Sequence, residues 1–406
     1  MKLVVLGDPH FGGGYALGRI DPYRRVNSRL MDHENTMGHV VDFCADHDVS
    51  ALVITGDIYE HRRPDASQIS AFSEKLAVLT DIGVDTHIVV GNHDLVRAHK
   101  TTTIDMLKHL RLPNVHVWSE IDSVYCEDPR GGTGINLAFM PFRTRQMLDC
   151  SDNASAVERL KDRLQFEVLG MERPGPKIVV GHLALEGARN KGILLDQYMV
   201  SEIVLPVSMF GGMDLDAVVM GHIHQHQVLC KDPLVVHVGA MERSDFGEAS
   251  QPRYFLVVDT DTDPPSYNFR PLPVRGLYDI AVNRSSVSPD DSSIMDGILD
   301  EIRGYASQRK LSGCIARVDI SVNDAVVGRI DSERIKSLLM KELGVHHCTG
   351  VSVTVVSKRQ LRSSEITERV KPKEAFNKWL ELVDDDGLRE RLRRHGNKII
   401  DEFGSV

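Results

Sequence analysis

Hydrophobic and polar positions follow one repeating scheme through the first half of the chain. A short apolar run closes on glycine, and a polar cluster follows at once. Leu3–Leu6 ends in Gly7-Asp8-Pro9-His10, and Ala51–Thr55 ends in Gly56-Asp57. Thr86–Val90 ends in Gly91-Asn92-His93-Asp94, Lys177–Val180 in Gly181-His182, and Ala217–Met220 in Gly221-His222-Ile223-His224. Short apolar runs bounded by turn residues read as buried strands. Between them the spacing turns helical. Val26, Leu30, His33, Met37, Val40 and Val41 predict a helix within Arg24–His47, and Ala66–Leu79 predicts another with Asp65 as N-cap. A short helix is expected over Thr101–Leu110, an extended run at Val115–Trp118 and a helix over Ala154–Val168. His226–Cys230, Leu234–Val238 and Tyr254–Asp259 are short and β-rich. Strand and helix in alternation imply a mainly parallel sheet, and the later runs a second, more antiparallel one. The expected class is α/β: a four-layer α/β/β/α sandwich, two facing sheets with helices outside.

The pattern breaks over Asp259–Pro273, where alternating Asp and Thr lead into Pro264, Pro265, Pro271 and Pro273; a solvated linker is expected there. Beyond it, strands at Leu277–Val282, Cys314–Val322 and Val351–Val356 alternate with helices at Ser292–Tyr305 and Ser332–Leu343. This predicts a small α/β module. Two helices, Pro372–Leu382 and Leu388–Phe403, are expected at the end. The division that follows is 1–270, 271–358 and 359–406.

Composition narrows the class without deciding it. The 406 residues are 42% hydrophobic and 26% charged, with net charge −10, which is ordinary for a globular protein and argues against a wholly basic nucleic-acid-coating surface. Six cysteines lie far apart with no CxxC, so reduced thiols are expected rather than a disulfide framework or zinc ribbon. No signal-peptide pattern or membrane-length apolar run is found, and the expected location is cytoplasmic.

The chemistry collects at the strand ends, where open α/β sheets bind ligands. Asp8, His10, Asp57, Asn92, His93, Asp94, His182, His222 and His224 bring imidazole nitrogen together with carboxylate and amide oxygen, and no thiolate. Such donors suit Mn, Fe or Zn better than Ca. A single histidine at a strand end is usually a satisfied polar group. Five strand ends of the same design are not explained that way. The donors exceed what one ion needs, and two ions about 3.5–4 Å apart sharing one carboxylate would use them. Basic residues follow the same loops: Arg62 and Arg63, then Arg97, His99 and Lys100, then Arg143 and Arg145, then Arg189 and Lys191. They are candidates for phosphate contact, which carries no sequence information.

GDPH, GDIYEH, GNHD, GH and GHIH, in this order, resemble the five motifs of the calcineurin-like metallophosphoesterases. The flanks are most similar to the SbcD-type DNA nuclease subunits, through GDIYEHRRPDAS, HVGAMERSDFGE (His237–Glu248) and EAFNKWLE (Glu374–Glu381). The motif resemblance covers about 1–260; past 270 it rests on layout. It implies two divalent ions, with Mn2+ expected. One would take Asp8, His10, Asp57 and His224, the other Asp57, Asn92, His182 and His222. It further implies His93 as proton donor to the leaving oxygen, oriented by Asp94. Where archaeal and eukaryotic relatives place a histidine three residues after the bridging aspartate, this chain has Glu60 followed by His61, and neither receives a role.

The resemblance also implies DNA as substrate, an SbcC-like ATPase as partner and a homodimer. The module 271–358, which has no chemistry of its own, is expected to cap the active edge and touch duplex DNA. The chain itself has no GxxxxGK[ST] phosphate loop. The last helices would grip the partner, with Phe376 and Trp379 as anchors on an apolar stripe. Two other readings share the motifs. One is a small-molecule or nucleotide phosphodiesterase; the other is a non-catalytic scaffold, against which the full donor set argues.

Overall fold

The computed structural model describes residues 1–95, 102–190, 193–194, 202–262, 264–288, 291–356, 372–381 and 385–403. In chain order the main elements are β1 (Lys2–Leu6), α1 (Ser28–Asp46), β2 (Ala51–Ile54), α2 (Ala66–Asp81), β3 (Asp85–Val89), α3 (Asp105–Leu110), β4 (Val115–Trp118), β5 (Asp122–Cys126), β6 (Ile135–Met140), α4 (Asn153–Leu169) and β7 (Lys177–Gly181). There follow β8 (Ala217–Met220), β9 (Gln227–Lys231), β10 (Leu234–His237), β11 (Tyr254–Asp259), β12 (Ser266–Pro271), β13 (Leu277–Arg284), α5 (Ile294–Ser307), β14 (Ile315–Val322), α6 (Ser332–Ser337), β15 (His347–Val355), α7 (Pro372–Leu380) and α8 (Asp386–Phe403).

Two six-stranded sheets form, in the orders β12-β11-β1-β2-β3-β4 and β9-β10-β8-β7-β6-β5. The centre of each is parallel: β1 to β4 in one, and β6, β7, β8 and β10 in the other. Antiparallel strands close one edge of the first sheet, at β11 and β12, and both edges of the second, at β9 and β5; the other edge of the first sheet is the parallel β4. The period-two geometry of a strand divides its side chains between two faces. Leu3, Val5, Ala51 and Val53 point inward to meet Leu137, Ile178, Val180, Ala217 and Val219 of the second sheet. Val4, Leu6, Leu52 and Ile54 point outward onto Leu30, Met37, Val40, Phe72 and Leu76 of α1 and α2. On the far side α4 lays Ala156, Leu160 and Leu164 against Ala138, Val179 and Val218. Both faces of each sheet are covered, which is why the strands read as unbroken apolar runs. The expected four layers are present.

Helix starts follow their capping chemistry. α2 opens on Asp65, which accepts from the N–H groups of Ser67 and Gln68 while the Gln68 side chain accepts from Asp65 N–H, a reciprocal capping box. α1 starts later than its apolar spacing predicts, because Asn27 is its N-cap and accepts from Arg29 N–H. The stretch read as a solvated linker needs correction. Ser266–Pro271 is a strand paired along its length with β11, and Tyr267 and Phe269 pack on the intersheet core. Its prolines flank or end an edge strand, where a missing N–H is tolerated.

The described chain divides into two compact units, Met1–Ala281 with Leu299–Asp319 and Asp331–Ser352, and Val282–Ile298 with Ile320–Ile330 and Val353–Val406. The strands β13-β14-β15 pair in that order. Within the first unit, Arg275 just past β12 donates from Nε and Nη2 to the Asp32 carboxylate of α1 (2.5–3.1 Å) and from Nη1 to the Gly313 carbonyl. Leu17, Leu277 and Ile315 share a small apolar cluster there. Within the second unit, α7 and α8 form a helical pair. The Phe376 ring lies against Gly396, where a Cβ would come within 2.1 Å of it. Phe376 also stacks on Trp379 at 5.9 Å, and Leu380 is buried.

Candidate active site

All five predicted loops leave the carboxyl ends of parallel strands of the two sheets, and their side chains interlock. The backbone is bent to achieve this. Asp57, His10 and His222 adopt φ of 50°, 47° and 73°, a left-handed region uncommon for non-glycine residues. Two of the glycines that open the motifs are required by crowding rather than by their turns. A Cβ on Gly91 would stand 2.1 Å from Asp57 Oδ1, and one on Gly221 would stand 2.3 Å from Asp8 Oδ1. Removing the side chain there lets neighbouring loops approach the carboxylates.

Two groups of donor atoms converge and meet at Asp57. In the first, His10 Nε2 and His224 Nε2 face each other at 3.0 Å, and His10 Nε2 lies 3.6 Å from Asp57 Oδ2. Asp8, His10 and His224 each offer a ligand atom within one small sphere. In the second, His182 Nε2 lies 3.2 Å from Asp57 Oδ2, and Asn92 Oδ1 is 2.9 Å from His182 Nε2 and 3.0 Å from His222 Nδ1. Donors about 2.0–2.2 Å from one ion are themselves about 3 Å apart.

The free nitrogens are free for a reason. Glu248 accepts from His224 Nδ1 (3.1 Å), Glu202 faces His222 Nε2 (2.7 Å) and the Thr55 carbonyl accepts from His182 Nδ1 (2.8 Å). Each partner takes one ring nitrogen and turns the other toward the site. These donors fit divalent cations, because lone pairs with no protein hydrogen to share point at common centres.

Electrostatics agrees. Burial opposes ionisation of Asp57, yet His182, His10 and His93 hold its carboxyl well below the usual range. Burial likewise opposes the charge on Asp8, and His182, His10 and His224 together hold that carboxyl below its ordinary value. Burial works to lower His182, but Asp57 and Asp8 push it up to about 10. The buried carboxylates and imidazoles of the site hold one another in their charged forms.

The predicted residues do not all stand where their roles were expected. His93 sits beside the first group, its ring edge-on to His10 at 4.9 Å, and its Nδ1 meets the Glu60 carbonyl at 2.5 Å. Asp94 was expected to orient that ring. Its carboxylate instead accepts the backbone N–H groups of Gly91 (2.8 Å), Asp57 (3.0 Å) and Ile58 (3.2 Å) and ties the second and third loops together. Burial and the adjacent Asp57 push Asp94 up to about 7 against those donors. Glu60 brings its carboxylate to 3.2 Å from His10 Nδ1, and His61 is exposed.

Among the basic candidates, Arg62 donates to the Asn92 carbonyl (3.3 Å) and Arg63 is exposed. Arg97, His99 and Lys100 lie outside the described residues, as does Lys191. Arg143 is consumed by the fold: it is buried and donates to the Ser119 and Phe142 carbonyls and to Glu120. The motif pattern missed Glu202, Glu248 and Thr55. Glu248 alone had a signal, since it closes the segment His237–Glu248; there Arg253 donates to it at 2.6 Å, and with His224 this holds it near 2 despite burial.

A two-sheet sandwich with imidazoles and carboxylates gathered for cations at its strand ends defines a metal-dependent phosphoester hydrolase. The family model for calcineurin-like phosphoesterases matches residues 1–226, and the chain belongs to that family. It is similar to the SbcD component of the SbcCD nuclease of Escherichia coli K12, 23% identical over 273 residues, covering 64% of this chain and 64% of that one. It is also similar to the DNA double-strand break repair protein Mre11 of Methanopyrus kandleri, 28% identical over 229 residues, covering 55% of this chain and 44% of that one. The chain thus spans about 64% of the length of the first of these relatives. Among solved structures, a dimetal phosphatase from Danio rerio aligns over 64% of this chain and 92% of that one at 12% identity, with a TM-score of 0.39. Among the described residues no helix is long and apolar enough to cross a membrane.

Proposed function

We propose that the chain is a two-metal DNA nuclease, cutting phosphodiesters as an exonuclease, an endonuclease or both. The carrying observation is that two donor groups share Asp57 while His93 stands beside one of them. One ion would be held by Asp8, His10, Asp57 and His224, and the other by Asp57, Asn92, His182 and His222, with manganese as the ion assigned. Bound there, the ions would neutralise phosphodiester charge and ready a water for attack.

The protein's own share is positioning and proton transfer. The Glu60 carbonyl only accepts, so His93 Nδ1 carries a hydrogen and Nε2 is the nitrogen left for proton transfer. Protonated His93 can then give its Nε2 hydrogen to the leaving oxygen, which departs poorly without one. The His93 backbone N–H donates to Asp57 Oδ1 at 2.7 Å, which keeps this imidazole in register with the shared carboxylate. Arg62 stands at the Asn92 loop to meet a phosphate.

The names of the relatives, a nuclease component and a DNA-break repair protein, support DNA as the substrate. They also favour a role in DNA repair beside another subunit. The further reading is a homodimer acting in repair or recombination with an SbcC-like ATPase bound through the C-terminal helices. The test is to incubate metal-stripped protein, with and without Mn2+, on labelled linear duplex DNA and on bis-p-nitrophenyl phosphate. Manganese-dependent cleavage of both is expected. Cleavage of the small ester with DNA left intact would favour a small-molecule phosphodiesterase instead.

A further inference from the structure

The loop that leaves the site after His10 carries a tip that the catalytic assignment does not use. Residues 19–25 read Arg-Ile-Asp-Pro-Tyr-Arg-Arg. Tyr23 is 92% exposed and Ile20 62% exposed. Single exposed apolar residues are ordinary on protein surfaces. This one is different because its turn is braced. Asp21 Oδ1 accepts from the N–H groups of Tyr23 (3.0 Å) and Arg24 (2.8 Å). Asp21 N–H donates to the Val26 carbonyl (2.8 Å), Arg25 N–H to the Asp21 carbonyl (3.0 Å) and Ser28 N–H to the Arg19 carbonyl (2.8 Å). Arg25 is left-handed at φ 59°, and Ile20 pairs with Asn27 across the base. The result is a fixed turn holding an aromatic ring out in water.

The charge around it is uneven. Arg24 is neutralised by Glu34. Arg19 and Arg25 are exposed and have no ion-pair partner among the described residues. The electrostatic reach of Arg19 extends to His346 and His347 on the same compact unit. Two exposed guanidinium groups thus flank an aromatic face on the loop that also supplies His10, with Asp21, which interacts with Arg24 and Arg19, as the one carboxylate of residues 19–25. Cations that track a backbone and an aromatic ring on which bases stack are the two parts of a single-strand nucleic-acid platform.

We propose that Tyr23 is a stacking platform for an unpaired base of the nucleic-acid substrate, with Arg19 and Arg25 on the adjoining phosphates. This rests on the nuclease reading and deepens it, since it makes a frayed or overhanging strand, rather than a blunt duplex, the preferred substrate form. The turn that carries the ring is already fixed, so stacking needs no ordering of the backbone, and every base offers a face, so preference for strandedness without preference for sequence follows.

The test uses the full chain in chelator, so that binding is read without cutting. The probes are a blunt duplex and the same duplex with an overhang carrying 2-aminopurine. The parent should bind the overhang more tightly and quench the probe. Tyr23→Ala should bind the overhang roughly 5- to 100-fold more weakly and lose the quench, while Tyr23→Trp keeps both. Blunt-duplex affinity and Mn2+-dependent hydrolysis of bis-p-nitrophenyl phosphate should not change. Arg19→Ala with Arg25→Ala should weaken both DNAs alike and flatten the salt dependence. If Tyr23→Ala keeps parental affinity and quench while the parent still cleaves DNA, the platform is overturned and the nuclease reading stands. The same holds if the variant loses only binding to another protein. If the parent binds no DNA at all but hydrolyses the small ester, both fall.

Discussion

Asp57 Oδ1 accepts the backbone N–H of His93 at 2.7 Å, while Oδ2 of the same carboxylate faces His182 and His10. One side chain would therefore set both of the proposed ion positions and the place of the proposed proton donor. Asp57→Asn should lower metal content at both positions together, because the shared charge is lost from each. His93→Ala should leave metal content unchanged and slow phosphodiester cleavage by roughly 10²- to 10⁴-fold, the usual worth of general acid catalysis. Elemental analysis beside kcat separates the two. Full metal occupancy in Asp57→Asn would count against the shared-ligand assignment.

Asp94→Asn tests the role that the hydrogen bonds assign to Asp94. An amide has one acceptor oxygen where the carboxylate has two, and its NH2 would face the backbone donors of Gly91, Asp57 or Ile58. An unmatched buried donor costs about 1–3 kcal/mol. The variant should lose thermal stability and metal affinity together. A variant that melts like the parent and shows only a shifted pH–rate profile would restore the expected role of orienting His93.

Metal removal should be visible in stability. Asp8, Asp57, Glu60, Glu202 and Glu248 surround the site, and repulsion among their charges is relieved when cations bind. A ligand that binds only the folded state stabilises it by about 2.7 kcal/mol at one hundred times its Kd. Chelated protein should therefore melt several degrees lower and recover on addition of Mn2+. Calorimetry with and without the ion measures this; equal melting temperatures would argue that no ion binds.

Asp32 gives a pH signature away from the metal site. Burial opposes its charge, but Arg275 and Arg29 hold its carboxyl below the usual value. The sign follows: its stabilisation is complete above the ordinary carboxylate range near 4 and fades as pH falls through the lowered folded value. Asp32→Asn, which leaves two guanidinium groups short of a partner, should cost about 3 kcal/mol or more near pH 7. The difference in melting temperature from the parent should shrink below about pH 4. A gap that stays constant down to pH 3 would mean that the pair contributes nothing electrostatic.

The helical pair at the end separates two residues that the sequence treats alike. Both are half-buried, but Phe376 lies against Gly396 of α8, whereas Trp379 stacks on Phe376 within its own helix. Phe376→Ala should loosen the pair and lower helicity. Trp379→Ala should spare helicity and weaken co-purification with an SbcC-like ATPase, with hydrolysis of small phosphodiesters unchanged. Loss of folding in Trp379→Ala with capture intact would place that ring in the protein's own core.

Much of this protein is written in local pattern. A strand buried on both faces must be apolar throughout, so Leu3–Leu6, Ala51–Ile54 and Ala217–Met220 stood out, and the residues just after them named the site. The edge strand Ser266–Pro271 was hidden, because half of its positions face water and its prolines mimic a linker. Partners chosen across space were hidden more deeply. Nothing local tells Glu248 to take His224, Glu202 to face His222, or Asp94 to bond the backbone of Asp57 and leave His93 to the Glu60 carbonyl. A hydrogen bond has a short reach and a direction, and only the packing of the two sheets brings loops so far apart in the chain close enough to make one.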